Sequence, residues 1–368
     1  MQTHAERSRT IKMISHVSRM IMGLIFITSG FVKVIDPWGT YIKVDEYLMI
    51  YGWEALMPIS MYFSVWLCSA ELMMGCMLTF KVRIRFVSIF ALLSMTIFTV
   101  ITFLSATIIP VEDCGCFGDA LKLTAWQTFF KNLALLPMAF VVWWRYRPDK
   151  IFLFKRLELI LAACFFSMSL GLGIYCYRHL PLIDYLPYKV GVDLPNAIKE
   201  AEKMDSNSFK TVLVYKNIKT GEQREFDIYD PTWQDETTWE WVDTLTKDDE
   251  SSVRPLISEF SLRDASGEDC TDEILATKGV LNMLFATLFN EVDDECMASF
   301  ERIVKEGNER GERTICISPD MIIEGKFIDG VECYNIDPTT MKTALRAKEG
   351  LIRLENGVIV KKSNCRDL

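Results

Sequence analysis

The sequence predicts a multi-domain protein in which an α-helical membrane bundle precedes a water-soluble α/β domain. Half of the 368 residues are hydrophobic, and five long apolar segments lie in the first half of the chain. Charge divides the chain in the same way. Residues 1–180 carry 17 Lys and Arg against 11 Asp and Glu, whereas residues 181–368 carry 23 against 38. A basic, apolar front and an acidic, polar back indicate a membrane part and a soluble part.

Five segments are long and apolar enough to cross a bilayer, which takes about 20 helical residues. They cover residues 14–35, 58–80, 86–109, 124–144 and 157–177. The first follows a basic stretch, as a secretory signal does, but no small-residue cleavage motif follows it. We therefore expect a four-helix membrane domain over residues 1–150 and a fifth spanning helix over residues 151–180.

Lys and Arg lie mostly at one end of these segments, which predicts an orientation. The N-terminus and the loops on one side carry twelve of them, and the loops between spans on the other side carry three. The twelve are Arg7, Arg9, Lys12, Arg19, Lys81, Arg83, Arg85, Arg145, Arg147, Lys150, Lys155 and Arg156, and the three are Lys33, Lys43 and Lys122. Because basic loops stay in the cytoplasm, we expect a multi-pass protein of the bacterial inner membrane. Its N-terminus would be cytoplasmic and its C-terminal half periplasmic.

The first outer loop, residues 36–57, is rich in aromatic side chains. It holds Trp38, Tyr41, Tyr47, Tyr51 and Trp53. Trp and Tyr favour the membrane–water interface, so the sequence predicts an interfacial helix here. A ligand-binding role for these rings is the alternative.

The second half alternates between helical and strand patterns. Residues 181–255 are expected to form a linker and an accessory α+β segment, with a helix at Leu194–Lys203 and a hairpin of Thr211–Asn217 with Gln223–Tyr229. Residues 256–368 are expected to form a soluble domain. Its predicted elements are strands at Phe260–Asp264, Gly279–Phe289 and Arg313–Ser318, helices at Asp294–Asn308 and Pro338–Lys348, and a hairpin at Gly350–Lys362 with an Asn-Gly turn. This order predicts an α/β fold.

Cys114 and Cys116, separated by one glycine, are the strongest candidates for chemistry. They lie on the predicted outer side, where an oxidising periplasm permits disulfides. A disulfide across Cys-Gly-Cys closes a tight, strained ring, which suits exchange better than structure. The flanking Asp113 and Asp119 disfavour a thiolate. The alternatives are that each cysteine bonds elsewhere or that both remain thiols.

Ionisable side chains inside the predicted spans form a second group of candidates, because charge is costly in hydrocarbon. From the helical rise, Glu71 lies roughly 20 Å below the outer end of its span and Lys131 about 10 Å below its own, which disfavours a direct pair. Lys33 and Asp36 are closer in depth to Lys131. With Asn132, these side chains are expected to form a polar cluster beneath the Cys-Gly-Cys loop.

The remaining cysteines and the histidines predict less. Cys68, in an apolar helix, is more typical of a small hydrophobic side chain than of a redox relay. Five of the eleven cysteines lie in the second half, so at least one of these has no partner there. Three scattered histidines and no CxxC or HExxH motif make a metal centre unexpected, and the acidic second half argues against nucleic acid. No cofactor is evident. A quinone stays an open alternative that no sequence motif supports.

Several motifs within residues 14–145 resemble the MauE/DoxX group of redox-associated membrane proteins. They are Ser29-Gly-Phe-Val-Lys-Val-Ile-Asp-Pro37, Ser69-Ala-Glu-Leu72, Asp113-Cys-Gly-Cys-Phe-Gly-Asp119 and Lys131-Asn132. The resemblance implies a four-helix core associated with redox chemistry. It also raises the expectation that Cys114 and Cys116 exchange a disulfide with a periplasmic client in support of an envelope protein. The alternative is a non-enzymatic binding or scaffold module with structural cysteines.

The soluble domain resembles a thioredoxin-like domain in the order of Phe260-Ser-Leu-Arg-Asp264, the strand ending Leu284-Phe-Ala-Thr287 and the final hairpin. A working thioredoxin needs a CxxC where the next helix begins. Here Cys296 stands alone among acidic residues, which would raise its pKa. The resemblance therefore implies a degenerate, redox-inactive domain that docks a partner.

Overall fold

The computed structural model describes residues 4–108, 115–121, 123–147, 156–218, 220–227, 238–248, 257, 259–320, 328 and 330–368. The first half is helical. Its helices are α1 (His4–Ile35), α2 (Pro37–Ile50), α3 (Met57–Thr79), α4 (Ile84–Thr107), α5 (Ala125–Tyr146) and α6 (Arg156–Arg178). Each of the five predicted apolar segments forms a helix, and the aromatic-rich loop contains α2.

Within the described ranges, four helical segments are long and apolar enough to cross a membrane: Arg9–Ile35, Glu54–Thr79, Ile84–Thr107 and Arg156–Arg178. Helix α5 is absent from this set and carries the polar residues Lys131 and Asn132. It nevertheless packs antiparallel along α4. The rings of Phe103 and Phe129 lie 5.5 Å apart near one end, and Leu92 and Phe140 line one groove near the other. Helix α5 therefore extends about as far as α4.

Glycines bring α1 and α3 into close antiparallel contact. A Cβ on Gly30 would lie 2.4 Å from the backbone nitrogen of Leu72, and one on Gly75 would lie 2.5 Å from that of Ile27. Small residues let helices in a membrane approach this closely. With Gly30 opposite Leu72, α3 extends about ten residues, or about 15 Å, beyond the end of α1. Helix α2 covers this extension, where the Ser60 hydroxyl donates to Asp45 Oδ1 at 2.6 Å.

The chain leaves the bundle at the end that carries α2 and the Cys-Gly-Cys loop. Helix α6 packs on α3, with Phe165 stacked on Phe80, and its last turn reaches α2, where Tyr177 stacks on Trp38. Lys81 lies at the opposite end of the bundle, 5.3 Å from the centre of the Tyr146 ring. The loop and the second half thus share one end of the bundle. Which compartment that end faces remains a prediction.

The second half contains two sheets. Helix α7 (Leu194–Ser208) precedes strands β1 (Phe209–Asn217), β2 (Gln223–Asp227) and β3 (Trp239–Asp248), which form an antiparallel sheet of order β2-β1-β3. The remaining elements are α8 (Thr271–Leu275), β4 (Val280–Ala286), α9 (Asp294–Arg310), β5 (Arg313–Ser318), β6 (Glu332–Asn335), α10 (Pro338–Leu345), β7 (Glu349–Glu355) and β8 (Val358–Asn364).

The second sheet has the order β6-β5-β4-β7-β8. Strands β4, β5 and β6 are parallel, and β7 and β8 are antiparallel to their neighbours. The predicted final hairpin is confirmed. Side chains of β4 enter two apolar clusters: Met283 and Phe285 enter one, and Leu284 and Ala286 enter the other. The sheet is therefore buried on both faces. The thioredoxin-like assignment remains a prediction.

Two predicted elements of this domain are wrong or misplaced. Phe260–Asp264 is not a strand, because Asp264 Oδ1 accepts bonds from the Ser266 and Glu268 backbone nitrogens and bends the chain. The last helix ends at Leu345 rather than at residue 348, because Arg346 takes a left-handed φ of 58°. Strands β3 and β6 were not predicted.

Candidate functional site

The Lys33 and Glu71 side chains form a buried ion pair between α1 and α3. Lys33 Nζ lies 2.7 Å from Glu71 Oε2, and the side chains are 10% and 9% exposed. The Ser29 hydroxyl is placed to donate either to Glu71 Oε1 at 2.6 Å or to the Cys116 carbonyl at 2.5 Å. The sequence-based depth estimate missed this pair. It measured depth from each span's own end, whereas α3 extends well beyond α1.

Lys131 and Asn132 lie close to this pair without bonding to it. Lys131 Nζ is 4.8 Å from the centre of the Phe117 ring, and Asn132 Nδ2 is 3.5 Å from Thr102 Oγ1. Both side chains line a small cavity of about 40 Å³ together with Lys33, Glu71 and Cys116. The structure therefore brings four of the predicted polar residues together beside Cys116.

The fifth predicted member of the cluster, Asp36, lies elsewhere and contacts the soluble domain. Its Oδ2 is 3.2 Å from Arg346 Nε, and its Oδ1 accepts a bond from the Gly39 nitrogen at the start of α2. Arg346 Nη2 also binds Asp119 Oδ2, directly after the Cys-Gly-Cys loop. Arg346 is only 1% exposed. Burial raises the pKa of Asp36, and the Arg346 guanidinium opposes this rise.

Helix α10 makes a second contact one turn earlier. Lys342 Nζ lies 3.1 Å from the Tyr41 hydroxyl and 3.7 Å from Asp45 Oδ2 on α2. Between α2, the loop and α10 lies an interdomain cleft of about 580 Å³, with Gly115 in its wall. Sequence reasoning could not find this interface, because Lys342 and Arg346 carry no local motif and their partners lie more than 220 residues away in the chain.

Cys116 is half-buried and is not disulfide-bonded within the described part of the chain. Its neighbours Gly115 and Gly118 have φ values of 58° and 53°, which glycine adopts readily and which turn the chain tightly. Asp113 and Cys114 lie outside the described residues. The partner of Cys116 in the predicted redox pair therefore remains a sequence-based expectation.

A larger cavity of about 440 Å³ lies between α2, α3 and α4. We call it the aromatic cavity, because its wall includes Tyr47, Tyr51 and Trp53, whose rings follow one another at 6.4 Å and 5.8 Å. Lys33 and Cys116 also line it. The sequence predicts these rings at the membrane interface, with ligand binding as the alternative. The cluster of aromatic residues in 36–57 is the sequence feature that could have indicated the cavity.

Cys68 lies on α3, one turn before Glu71 and near the buried ion pair, and apart from Cys116 the described cysteines do not line the cavities of this site. Cys68 is a buried thiol that donates to Thr40 Oγ1 at 3.3 Å. In the soluble domain, Cys296 bonds Cys365 and Cys316 bonds Cys333, while Cys270 is unpaired. The odd count predicted from the sequence is thereby confirmed. The start of α9 carries a disulfide rather than the lone thiol that the sequence suggested.

Within the described ranges, no group of three or more His, Cys, Asp or Glu side chains is placed to hold a metal ion. The site's polar groups are instead an ion pair, an amide, a second lysine and one thiol. Such a set can carry protons and exchange disulfides.

Two parts of the chain match known family models. Residues 11–145 match the family model described as methylamine utilisation protein MauE, and residues 209–248 match a domain of unknown function, DUF8463. Neither the curated proteins nor the solved structures gave a match. The first match spans α1 to α5 and includes every predicted site residue. It indicates a membrane protein in a redox-related pathway. With the apolar helices, it supports a multi-pass membrane protein of MauE type.

Proposed function

We propose that this protein is a membrane thiol–disulfide protein whose Cys114 and Cys116 exchange a disulfide with a client protein. The observation that carries the proposal is the position of Cys116. It lies where the bundle meets the soluble domain, beside the buried Lys33–Glu71 pair and at the wall of the aromatic cavity. A thiol in an ordinary loop would have neither neighbour.

One turnover of the exchange needs no reagent other than the client, because the client supplies both electrons and both protons. One client thiolate attacks a sulfur of the Cys114–Cys116 disulfide and forms a mixed disulfide. The second client thiol then attacks the client sulfur of this mixed disulfide and releases the cysteine. The client leaves with a new disulfide. Cys114 and Cys116 are left as thiols, having received two electrons and two protons.

Local charges favour this chemistry more than the sequence suggested. Asp119 was expected to oppose negative charge on sulfur, but Arg346 neutralises it. Lys131 lines the same small cavity as Cys116 and places a positive charge near the loop, whereas the charge of Lys33 is offset by Glu71. Opposite charge stabilises negative charge that develops on sulfur during exchange, and the effect is larger in a buried site.

We place the exchange on the periplasmic side of a bacterial inner membrane, with the N-terminus in the cytoplasm. Supporting this placement, Arg19 and Lys81 lie at the end of the bundle away from the Cys-Gly-Cys loop. A basic end stays cytoplasmic. Labelling of residue 116 from the cytoplasm would contradict the placement.

A redox titration tests the exchange directly. The full chain, purified in mild detergent, is equilibrated over a range of potentials and its free thiols are blocked. Mass spectrometry then follows Cys114 and Cys116. We expect a reversible two-electron transition, unchanged in Cys164→Ser, which alters an exposed cysteine on α6. A pair that stays reduced or stays oxidised at every potential would sink the proposal.

A non-enzymatic binding module is the second candidate. It is favoured by the interdomain ion pairs of Arg346 and by a soluble domain whose described disulfides are largely buried. Protein abundance separates the candidates. A catalytic role predicts that Cys114→Ser leaves abundance nearly unchanged, whereas a structural bridge predicts that abundance collapses.

A further inference from the structure

The aromatic cavity has the dimensions and lining of a small-molecule site. Its volume of about 440 Å³ falls in the range of about 300–1,000 Å³ typical of ligand pockets. Most of its lining is aliphatic or aromatic, with few polar groups, as in such pockets. The stacked rings of Tyr47 and Tyr51 present flat apolar faces, which favour a planar ligand.

The cavity is bordered by side chains on the outside of the bundle. Trp53, Phe63 and Ile97 line it, and they are 59%, 47% and 48% exposed. Each lies in or beside a helix that is apolar enough to span a membrane. Apolar side chains on such a surface face lipid. A ligand can therefore enter from the bilayer, which favours a hydrophobic molecule over a charged one.

Lys33 and Cys116 contribute a cation and a thiol to the lining, which also contains Thr40, Lys43, Ser94 and Thr102. The Lys33 ammonium has three donors, and one bond to Glu71 leaves others for a carbonyl oxygen in the cavity. The thiol of Cys116 is a source of electrons. A planar, lipid-soluble molecule with carbonyl acceptors that takes up electrons matches both groups.

We propose that the aromatic cavity binds the headgroup of a membrane-soluble quinone, which reoxidises Cys114 and Cys116. This inference rests on the proposed function and names its electron acceptor. In the step, two S–H bonds break and one S–S bond forms. The two electrons and two protons convert both quinone carbonyls to hydroxyls, so a dithiol and a quinone become a disulfide and a quinol. Lys33 is a positioning residue that holds one carbonyl.

The test fills the cavity from α4. Ser94 lines it and Leu93 beside it does not, being 53% exposed on the outer surface. The full chain, Ser94→Trp and Leu93→Trp are each purified in detergent. An azido-substituted quinone with a short alkyl tail is photocrosslinked to each protein and mapped by mass spectrometry. Reduction of the alkylated quinone and exchange with oxidised glutathione are measured in parallel.

We expect crosslinks within residues 47–53 and 94–102 in the wild type and in Leu93→Trp. Ser94→Trp should lose this labelling at least tenfold, and its ratio of quinone reduction to glutathione exchange should fall at least tenfold. The quinone site would be overturned if Ser94→Trp were labelled as strongly as the wild type or if labelling were confined to other surfaces. It would also be overturned if phospholipid alone displaced the azido-quinone from the cavity. Because labelling needs no cysteine, it survives in a Cys114→Ser, Cys116→Ser double variant. Cavity labelling without any glutathione exchange would therefore overturn the redox role and the proposed function while leaving the binding site in place.

Discussion

Arg346 holds the soluble domain against the bundle, and its removal is the sharpest test of the interface. Its side chain is 2% exposed and lies against two carboxylates, Asp36 and Asp119, which are 12% and 17% exposed. Arg346→Met keeps most of the side chain's bulk but leaves both carboxylates without a cation. Breaking a buried ion pair in this way costs about 3–5 kcal/mol. At about 1.4 kcal/mol per factor of ten, the interface should open about 10²- to 10⁴-fold more often.

Hydrogen exchange of the full chain in detergent measures this opening. We expect faster exchange of amides in α2 and at the end of α10, while β4 in the centre of the sheet stays protected. Arg353→Met is the matched control. Arg353 pairs with Glu312 at 2.7 Å in the same domain, away from the interface, and its side chain is 28% exposed. A pair this exposed contributes about 0–1 kcal/mol.

A second substitution separates charge from packing. Arg346→Met combined with Asp119→Asn removes one of the two uncompensated carboxylates, so it should recover part of the protection. The coupling between the two positions, read from a double-mutant cycle, should be favourable in the wild type. Exchange in α2 that is no faster in Arg346→Met than in Arg353→Met would refute the reasoning.

Three further predictions concern the bundle and the sheet. Gly30→Ala places a Cβ against the α3 backbone and should sharply reduce the yield of folded protein in detergent. Gly171→Ala is the control, because there is open space around Gly171. Equal yields of the two variants would contradict the helix contact. Glu71→Gln leaves a buried lysine without its counter-ion, so the free energy of unfolding should fall by about 3–5 kcal/mol in thermal unfolding. An unchanged melting temperature would argue against the Lys33–Glu71 pair. Burial lowers the pKa of Lys362, although Asp184 opposes this. The unfolded chain therefore binds more protons than the folded one between that lowered pKa and 10.5, so this lysine's contribution to stability rises with pH in that window. Lys362→Met should reduce the increase with pH of the unfolding free energy measured by urea denaturation. An unchanged increase would rule this lysine out as its source.

The sequence anticipated the elements that local pattern controls. Long apolar runs predicted five helices, and the Asn-Gly turn predicted the final hairpin, because hydrophobic period and turn chemistry act over a few neighbouring residues. The Lys33–Glu71 pair depends instead on how far one helix extends past another, which counting along each helix separately cannot give. Arg346 carries no local signal at all. Its role follows from two carboxylates more than 220 residues away in the chain.

Gly115 and Lys43 line both the aromatic cavity and the interdomain cleft, so one thin wall separates a space lined mostly by apolar side chains from one that carries Asp45, Asp119, Lys342 and Arg346. Molecules on the two sides do not overlap and do not compete for the same volume. A compound in the interdomain cleft should therefore leave photolabelling of the aromatic cavity unchanged. A side chain at position 115 would meet Lys43, whose Cγ lies 3.1 Å from a Cβ built there, so it would disturb the wall that both spaces share.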